Sequence, residues 1–237
     1  PLIAMNTILA DSLNWVAEKL EAELAKGSEK PAAVIAVLKE LMNAHSAVIF
    51  GGDGYSAEWH KAAVEERGLL NLPTTADALP YLNDDAVKQL FESTGVLSPV
   101  ELESRYDVYT EIYIMSIAVE AKLVIEMAKT IIYPAAMRYL AKLADTDAAV
   151  GAMGITLDRS TAKIIAESAN AMMAKVAELS TEFAREDFGS TDEHMQFCAK
   201  TIRPLMDQVR MHADDLEAEL ADEQWPLPKY REMLFIK

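Results

Sequence analysis

Residues 98–134 decide the fold, and they read SPVELESRYDVYTEIYIMSIAVEAKLVIEMAKTIIYP. Ser98 and Pro99 are typical of a helix start, because a hydroxyl accepts from free first-turn amides and proline needs no donor there. Apolar and aromatic side chains then recur every three or four residues, as they do on one face of an α-helix. Pro134 has no amide hydrogen, so we expect it to kink or end the helix just before it.

The same spacing predicts helices on both sides of this stretch. One covers residues 6–26, and a second begins near Pro31. Two more long helices extend from Leu157 to about Phe183 and from Glu193 to about Leu220. Pro204 lies inside the last of them and predicts a second kink.

A loop-rich stretch from about residue 50 to 98 separates these groups of helices. Ser56 is the expected N-cap of one short helix, and a second is expected over residues 84–92. Leu72-Pro73-Thr74-Thr75 and Leu79-Pro80 predict extended connectors, since a residue before proline avoids the helical region. The overall prediction is all-α: a multi-helical bundle of long, proline-kinked antiparallel helices with a loop-rich connecting segment.

The composition favours helix and excludes several classes of function. Of 237 residues 51% are hydrophobic, and 38 acidic against 22 basic residues give a net charge of −16. That charge repels phosphate backbones and anionic membranes, so we expect no nucleic-acid or membrane partner. The sequence has no apolar run of transmembrane length and no signal-peptide pattern. Its single cysteine, Cys198, excludes an internal disulfide and suits a cytoplasmic protein.

Two groups of side chains have both a chemical and a structural interpretation. His194 and Cys198 lie four residues apart on one helix face, but a zinc site needs three or four ligands, so we favour a partly buried polar pair. Tyr106, Tyr109 and Tyr113 are spaced either to stack on a ligand or to pack in the core, and we favour the core.

The glycine-rich turn at residues 51–56 is a possible loop site formed by Asp53, Tyr55 and His60. Glu58 and Glu65 lie close enough in sequence to join His60 in an acid–base cluster. The turn lacks the Gly-Lys-Ser/Thr ending of a phosphate-binding P-loop. We therefore favour ordinary turn and cap roles for its side chains.

Residues 225–237 form an unusually apolar tail. An apolar segment of this kind either folds back onto its own domain or docks against another surface. Pro226 and Pro228 should end the preceding helix and turn the chain back. We expect removal of residues 225–237 to destabilise or disassemble the protein. The expected docking residues are Trp225, Tyr230, Met233, Leu234 and Phe235.

Several segments together resemble the C-terminal portion of the type III glutamine synthetases. Gly51 departs from the asparagine expected at that point of the family pattern. The matching stretches are residues 6–13 (NTILADSL), 52–60 (GDGYSAEWH), 68–80 (GLLNLPTTADALP), 101–109 (ELESRYDVY) with the helix to Pro134, and 225–236 (WPLPKYREMLFI), the family's most distinctive ending.

The resemblance implies a parent enzyme that condenses glutamate with ammonia through γ-glutamyl phosphate, using ATP and magnesium or manganese. The residues that bind these groups lie in the family's upstream β-grasp and catalytic portions. The resemblance thus implies that this chain is a fragment with no catalytic, cofactor-binding or metal-binding residue. Its implied partners are those two portions and further copies in a homo-oligomer.

Under this interpretation the chain divides into four segments. Residues 1–28 are a helix that continues from the catalytic domain, and 29–97 are a helix and the loop-rich segment. Residues 98–221 are the long-helix bundle, and 222–237 are the apolar tail. The alternative is a free-standing acidic helical interaction module without enzymatic activity.

Overall fold

The structure is a computed structural model that describes residues 1–234, apart from the side chains of Tyr230 and Arg231. Within this part of the chain all regular structure is helical and no strand occurs, which confirms the all-α prediction. None of the helices in the described residues combines the length and the apolar character that a bilayer span requires. The chain forms two compact units, Pro1–Tyr109 and Thr110 onward.

The first unit contains two longer helices, three short ones and the start of a further long helix. Its α1 and α2 pack against each other and are joined by a turn at Gly27, whose φ of 86° favours glycine. The elements are α1 (Leu2–Ala25), α2 (Lys30–Ala44), α3 (Ala57–Glu65), α4 (Thr75–Ala78), α5 (Asp85–Ser93) and the first part of α6 (Pro99–Met127), with 3-10 turns at Ser46–Val48 and Leu79–Asn83.

The first predicted connector is wrong at Thr75, which begins α4. The second one, at Leu79-Pro80, is wrong at both residues. These residues lie in a 3-10 helix that follows α4 directly. The Thr74 hydroxyl starts α4 by accepting from the Asp77 amide at 3.2 Å. Pro80 sits in the first turn of the 3-10 helix, where its missing amide hydrogen costs nothing. Burial of Leu79 holds the segment in place.

The second unit is a bundle centred on α8. This helix buries five side chains completely at alternating spacings of four and three residues, which is the pattern of a helix packed along a seam. It packs most extensively against α10 and also against α7. The elements are the rest of α6, α7 (Tyr133–Gly151), α8 (Ser160–Phe183), α9 (Thr191–Phe197), α10 (Arg203–Glu219), a 3-10 turn at Asp222–Gln224 and α11 (Tyr230–Leu234). The five buried residues of α8 are Ile165, Ala169, Met172, Val176 and Leu179.

Two contacts fix the direction of α8 relative to α6 and α7. The Lys122 ammonium lies 5.9 Å from the centre of the Phe183 ring, at the end of α8. The start of α8, at Thr161, lines the same cavity as Leu140 in the following helix α7. Helices α6 and α7 follow one another through a single π turn. Because the end of α8 lies beside the earlier helix and its start beside the later one, α8 runs antiparallel to both, as predicted.

The two disruptions predicted from proline are both π-helical turns. The turn Ala128–Ile132 precedes Pro134, and the turn Cys198–Ile202 precedes Pro204. A proline ring clashes with the carbonyl four residues earlier, and a wider turn moves that carbonyl away. For this reason α7 and α10 follow their π turns without a break.

Candidate functional site

The first half of the apolar tail returns to its own bundle. Trp225 is only 9% exposed and belongs to the core of the second unit, with Leu227 packed against it. Two ion pairs hold the turn around it: Lys142 Nζ lies 2.7 Å from Glu223, and Lys229 Nζ lies 3.1 Å from Asp222. This half of the tail therefore completes the bundle.

The Trp225 ring also lines a cavity of about 320 Å³ between α6, α10 and the tail. Apolar groups dominate its wall, including Val124, Ile132 and Val209. The indole Nε1 is buried and has no hydrogen-bond acceptor among the described residues. Trp225 thus contributes apolar area to the fold while its polar atom remains unsatisfied.

Two described side chains in the second half of the tail are exposed. Met233 is 61% exposed and Leu234 is 75% exposed. The Tyr230 side chain and all of Phe235 lie outside the described residues. The predicted docking role stays a prediction, and Met233 and Leu234 are the two of its five residues that the structure shows to be exposed.

The turn at residues 51–56 is organised by local hydrogen bonds. The Asp53 carboxylate accepts from the Tyr55 amide at 2.9 Å, and the Ser56 hydroxyl accepts from the Trp59 amide at 3.1 Å. Tyr55 is 95% exposed, and His60 is exposed as well. These bonds give Asp53 and Ser56 turn and cap roles. A loop site made of Asp53, Tyr55 and His60 stays a prediction.

An arginine that the sequence analysis did not single out holds this turn. The Arg67 guanidinium donates to the carbonyls of Ala47 and Ile49, at 3.2 and 2.9 Å. It also lies 4.9 Å from the centre of the Trp59 ring and 5.7 Å from that of Phe50. The two rings stack at 3.8 Å with an angle of 15° between their planes. Cation–π attraction and stacking together fix both ends of the glycine-rich turn.

His194 is partly buried and Cys198 is buried, which is in line with the structural interpretation of these two residues. His194 stacks on Phe188 at 4.2 Å, and burial lowers its pKa. Burial raises the pKa of the Cys198 thiol to about 11, which keeps the thiol protonated. Among the described residues no three His, Cys, Asp or Glu side chains converge in a way that could hold a metal ion.

The tyrosine series is only partly in the core. Tyr106 is buried, and Tyr113 packs against the core of the second unit. Tyr109 is 44% exposed, so the core interpretation is wrong for this residue. On the helix surface Tyr109 lies about 60° from Tyr106 and about 40° from Tyr113, at the solvent-exposed edge of the face that they form.

Two helices carry exposed apolar stripes. On α1 the exposed fractions are 74% for Leu2, 66% for Met5, 58% for Leu9 and 60% for Leu13. Thr7, on the other side of the helix, is 3% exposed and bonds back to a backbone carbonyl of its own helix. The second stripe lies on α6 and consists of Ile112, Met115, Val119 and Leu123, each about half exposed.

Comparison with known proteins identifies the chain's relatives. Residues 33–150 match the model of the glutamine synthetase C-terminal domain. The chain belongs to this family. It is 33% identical over its whole length to a type-3 glutamine synthetase of Dictyostelium discoideum. It is also 29% identical over its whole length to a glutamine synthetase of Bacteroides fragilis, and 32% identical over 91% of its length to one of Butyrivibrio fibrisolvens.

These findings confirm the resemblance to type III glutamine synthetases. The chain spans about a third of the length of each relative: 33%, 34% and 32%. The matched domain contains the turn at residues 51–56, its Arg67 anchor and all of α6. The α1 stripe and the tail lie outside the matched range, but the similarity to the two whole-chain relatives covers them.

Proposed function

We propose that this chain is a helical structural and assembly region of a type III glutamine synthetase, and that the catalytic residues belong to the rest of the enzyme. One observation carries the proposal. The chain is similar to glutamine synthetases along its whole length, yet it spans only about a third of theirs. The complete enzyme would condense glutamate with ammonia through γ-glutamyl phosphate, with ATP as phosphoryl donor.

We propose that the chemical steps belong to the other portions of the enzyme. Phosphoryl transfer from ATP needs magnesium or manganese held by converging carboxylates. The best-organised polar side chains cap helices or pair at the surface. We assign ATP, the metal ions and glutamate to the β-grasp and catalytic portions.

The contribution that we propose for this region is structural. The α8-centred bundle is a well-packed body, and exposed apolar stripes on α1 and α6 offer surfaces for other parts of the assembly. We therefore propose as partners the catalytic and β-grasp portions and further copies of the enzyme, in the cytoplasm.

A γ-glutamyl transferase assay tests the proposal. Three preparations are compared: the full-length enzyme, residues 1–237 alone, and the full-length enzyme without this region. We expect γ-glutamyl hydroxamate from the first only. Turnover by residues 1–237 alone contradicts the proposal, as does unchanged activity and assembly after their removal. A start codon immediately before Pro1 in the gene favours the free-standing interaction module instead.

A further inference from the structure

Helix α1 exposes its large apolar side chains and buries a small polar one. At about 100° per residue, Leu2, Met5, Leu9 and Leu13 fall within a sector of about 80° on the helix surface. Thr7 lies about 160° from Leu9 on the same projection. Thr7 itself is buried, whereas the four large apolar side chains face solvent. Burial of apolar area favours the opposite orientation, so the first unit alone does not explain this packing.

The partner helix α2 does not extend along the first residues of α1. Leu41 and His45, at the end of α2, line a cavity together with Asp11 and Trp15 of α1. The end of α2 therefore lies beside the middle of α1. Since α1 has 24 residues and α2 has 15, about 13 Å of α1 extends past α2. Leu2, Met5 and Leu9 lie in this part of α1, and Leu13 lies just after it.

The first half of α1 carries almost no charged side chains. Between Leu2 and Leu13 the only ionisable side chain is Asp11, in a chain that carries a net charge of −16. Depletion of charged residues around large apolar ones is typical of the buried centre of an interface. A solvent-exposed helix in a protein with this net charge would carry several acidic side chains over the same length.

We propose that the α1 face formed by Leu2, Met5, Leu9 and Leu13 docks onto the remaining two thirds of the full-length glutamine synthetase. This inference rests on the proposed function. The relatives are about three times as long as the chain, so a large part of such an enzyme lies outside it and is available to cover the face. The occupant is an apolar, uncharged surface of the catalytic and β-grasp portions, because charged groups buried against this face would remain unpaired.

Cysteine protection in the full-length enzyme tests the inference. Leu9→Cys and Leu13→Cys place a thiol in the face, and Asn14→Cys places a matched thiol on an exposed position of the same helix. Within residues 1–237 the native Cys198 gives little background, since it is buried and its thiol stays protonated, and labelling of the unsubstituted full-length enzyme is subtracted for cysteines elsewhere. Each variant is labelled with a maleimide at neutral pH, and the same preparations are assayed for glutamine synthesis.

In the active full-length enzyme we expect Leu9→Cys and Leu13→Cys to react at least about tenfold more slowly than Asn14→Cys, because a covered site reacts only when it opens locally. In residues 1–237 alone we expect all three to react at similar rates. Equal rates in an active full-length enzyme overturn the docking face and leave the proposed function intact. A full-length protein that makes no glutamine overturns the proposed function. Protection in residues 1–237 alone, accompanied by a dimeric mass, assigns the face to a second copy and also overturns the inference.

Discussion

At the scale of single residues, Gly52 is required by a close contact and not by its backbone conformation. Its φ lies outside the positive range that favours glycine. A Cβ built on it would lie 2.6 Å from Cζ of Phe50, whose ring stacks on Trp59. Phe50 cannot move aside without losing that stack and its contact with Arg67.

Gly52→Ala should therefore destabilise the protein by about 1–3 kcal/mol, the usual cost of overpacking. Gly51→Ala and Gly54→Ala are matched controls, because a Cβ at either position meets nothing within 4 Å. For these we expect changes within about 0.5 kcal/mol. Urea unfolding followed by tryptophan fluorescence measures all three. Equal stabilities for the three variants would refute the contact argument.

Cys198 makes the stability depend on alkaline pH. Burial raises the pKa of its thiol from 9.0 to about 11. The unfolded chain loses this proton at lower pH than the folded protein does, so the contribution is complete below pH 9 and is lost as pH rises toward 11.

Over this window the wild-type protein should lose about 2–3 kcal/mol relative to Cys198→Ala. The variant also loses the packing of the cysteine side chain, but this loss of unfolding free energy is the same at every pH. The change of the difference with pH therefore comes from the thiol. Urea unfolding of both proteins between pH 8 and 11 measures the difference. Parallel pH profiles would show that the thiol does not contribute.

At the scale of elements, α6 begins with a reciprocal capping box. The Ser98 hydroxyl accepts from the Glu101 amide at 3.3 Å, and the Glu101 carboxylate accepts from the Ser98 amide at 2.8 Å. The bond from the Ser98 amide, followed by one that the Ser98 hydroxyl donates to the same carboxylate oxygen at 2.8 Å, holds the pKa of Glu101 below its usual value. The box is therefore fully formed above pH 4.5 and weakens as the carboxylate is protonated at lower pH.

Ser98→Ala should cost about 1 kcal/mol, because one first-turn amide loses its acceptor. Ser116→Ala, at an exposed position inside the same helix, is the control and should be neutral or slightly stabilising, since alanine is the better helix former. Urea unfolding at pH 7 compares them. A loss as large for Ser116→Ala as for Ser98→Ala would contradict the capping argument.

The two π turns mark the limit of prediction at this scale. Pro134 and Pro204 locate both disruptions in the sequence, since proline has no amide hydrogen wherever it stands. Whether the chain kinks, ends or widens into a π turn depends on the packing around it, here against α8. Both turns include residues of a repeated Ala-Lys-Thr-Ile sequence, at residues 128–131 and 199–202.

At the scale of the whole molecule, the described side chains of the tail differ in burial. Trp225 and Leu227 complete the core of the second unit, while Met233 and Leu234 remain exposed. The destabilisation expected on removing residues 225–237 should therefore come mainly from the first pair.

Trp225→Ala should lower the unfolding free energy of this chain by about 3–5 kcal/mol, as large-to-small changes in a core do. Leu234→Ala should change it by less than about 0.5 kcal/mol, because the side chain is exposed. Trp225→Phe keeps most of the apolar area and removes the unsatisfied Nε1, so it should cost much less than alanine. Thermal unfolding of the three variants measures these effects, and equal losses at positions 225 and 234 would contradict the division of the tail.

The sequence by itself determined the long helices, the caps at Ser56 and Ser98, the positions of both proline disruptions and the family. These features follow from local rules: periodicity, the hydroxyl at a helix start and the missing proline amide act within a few residues of one another. Only the tertiary structure decided which faces are covered. Arg67 on two aromatic rings, the core position of Trp225 and the outward apolar face of α1 all depend on residues distant in sequence, and helical periodicity shows that a face is apolar without showing what lies against it.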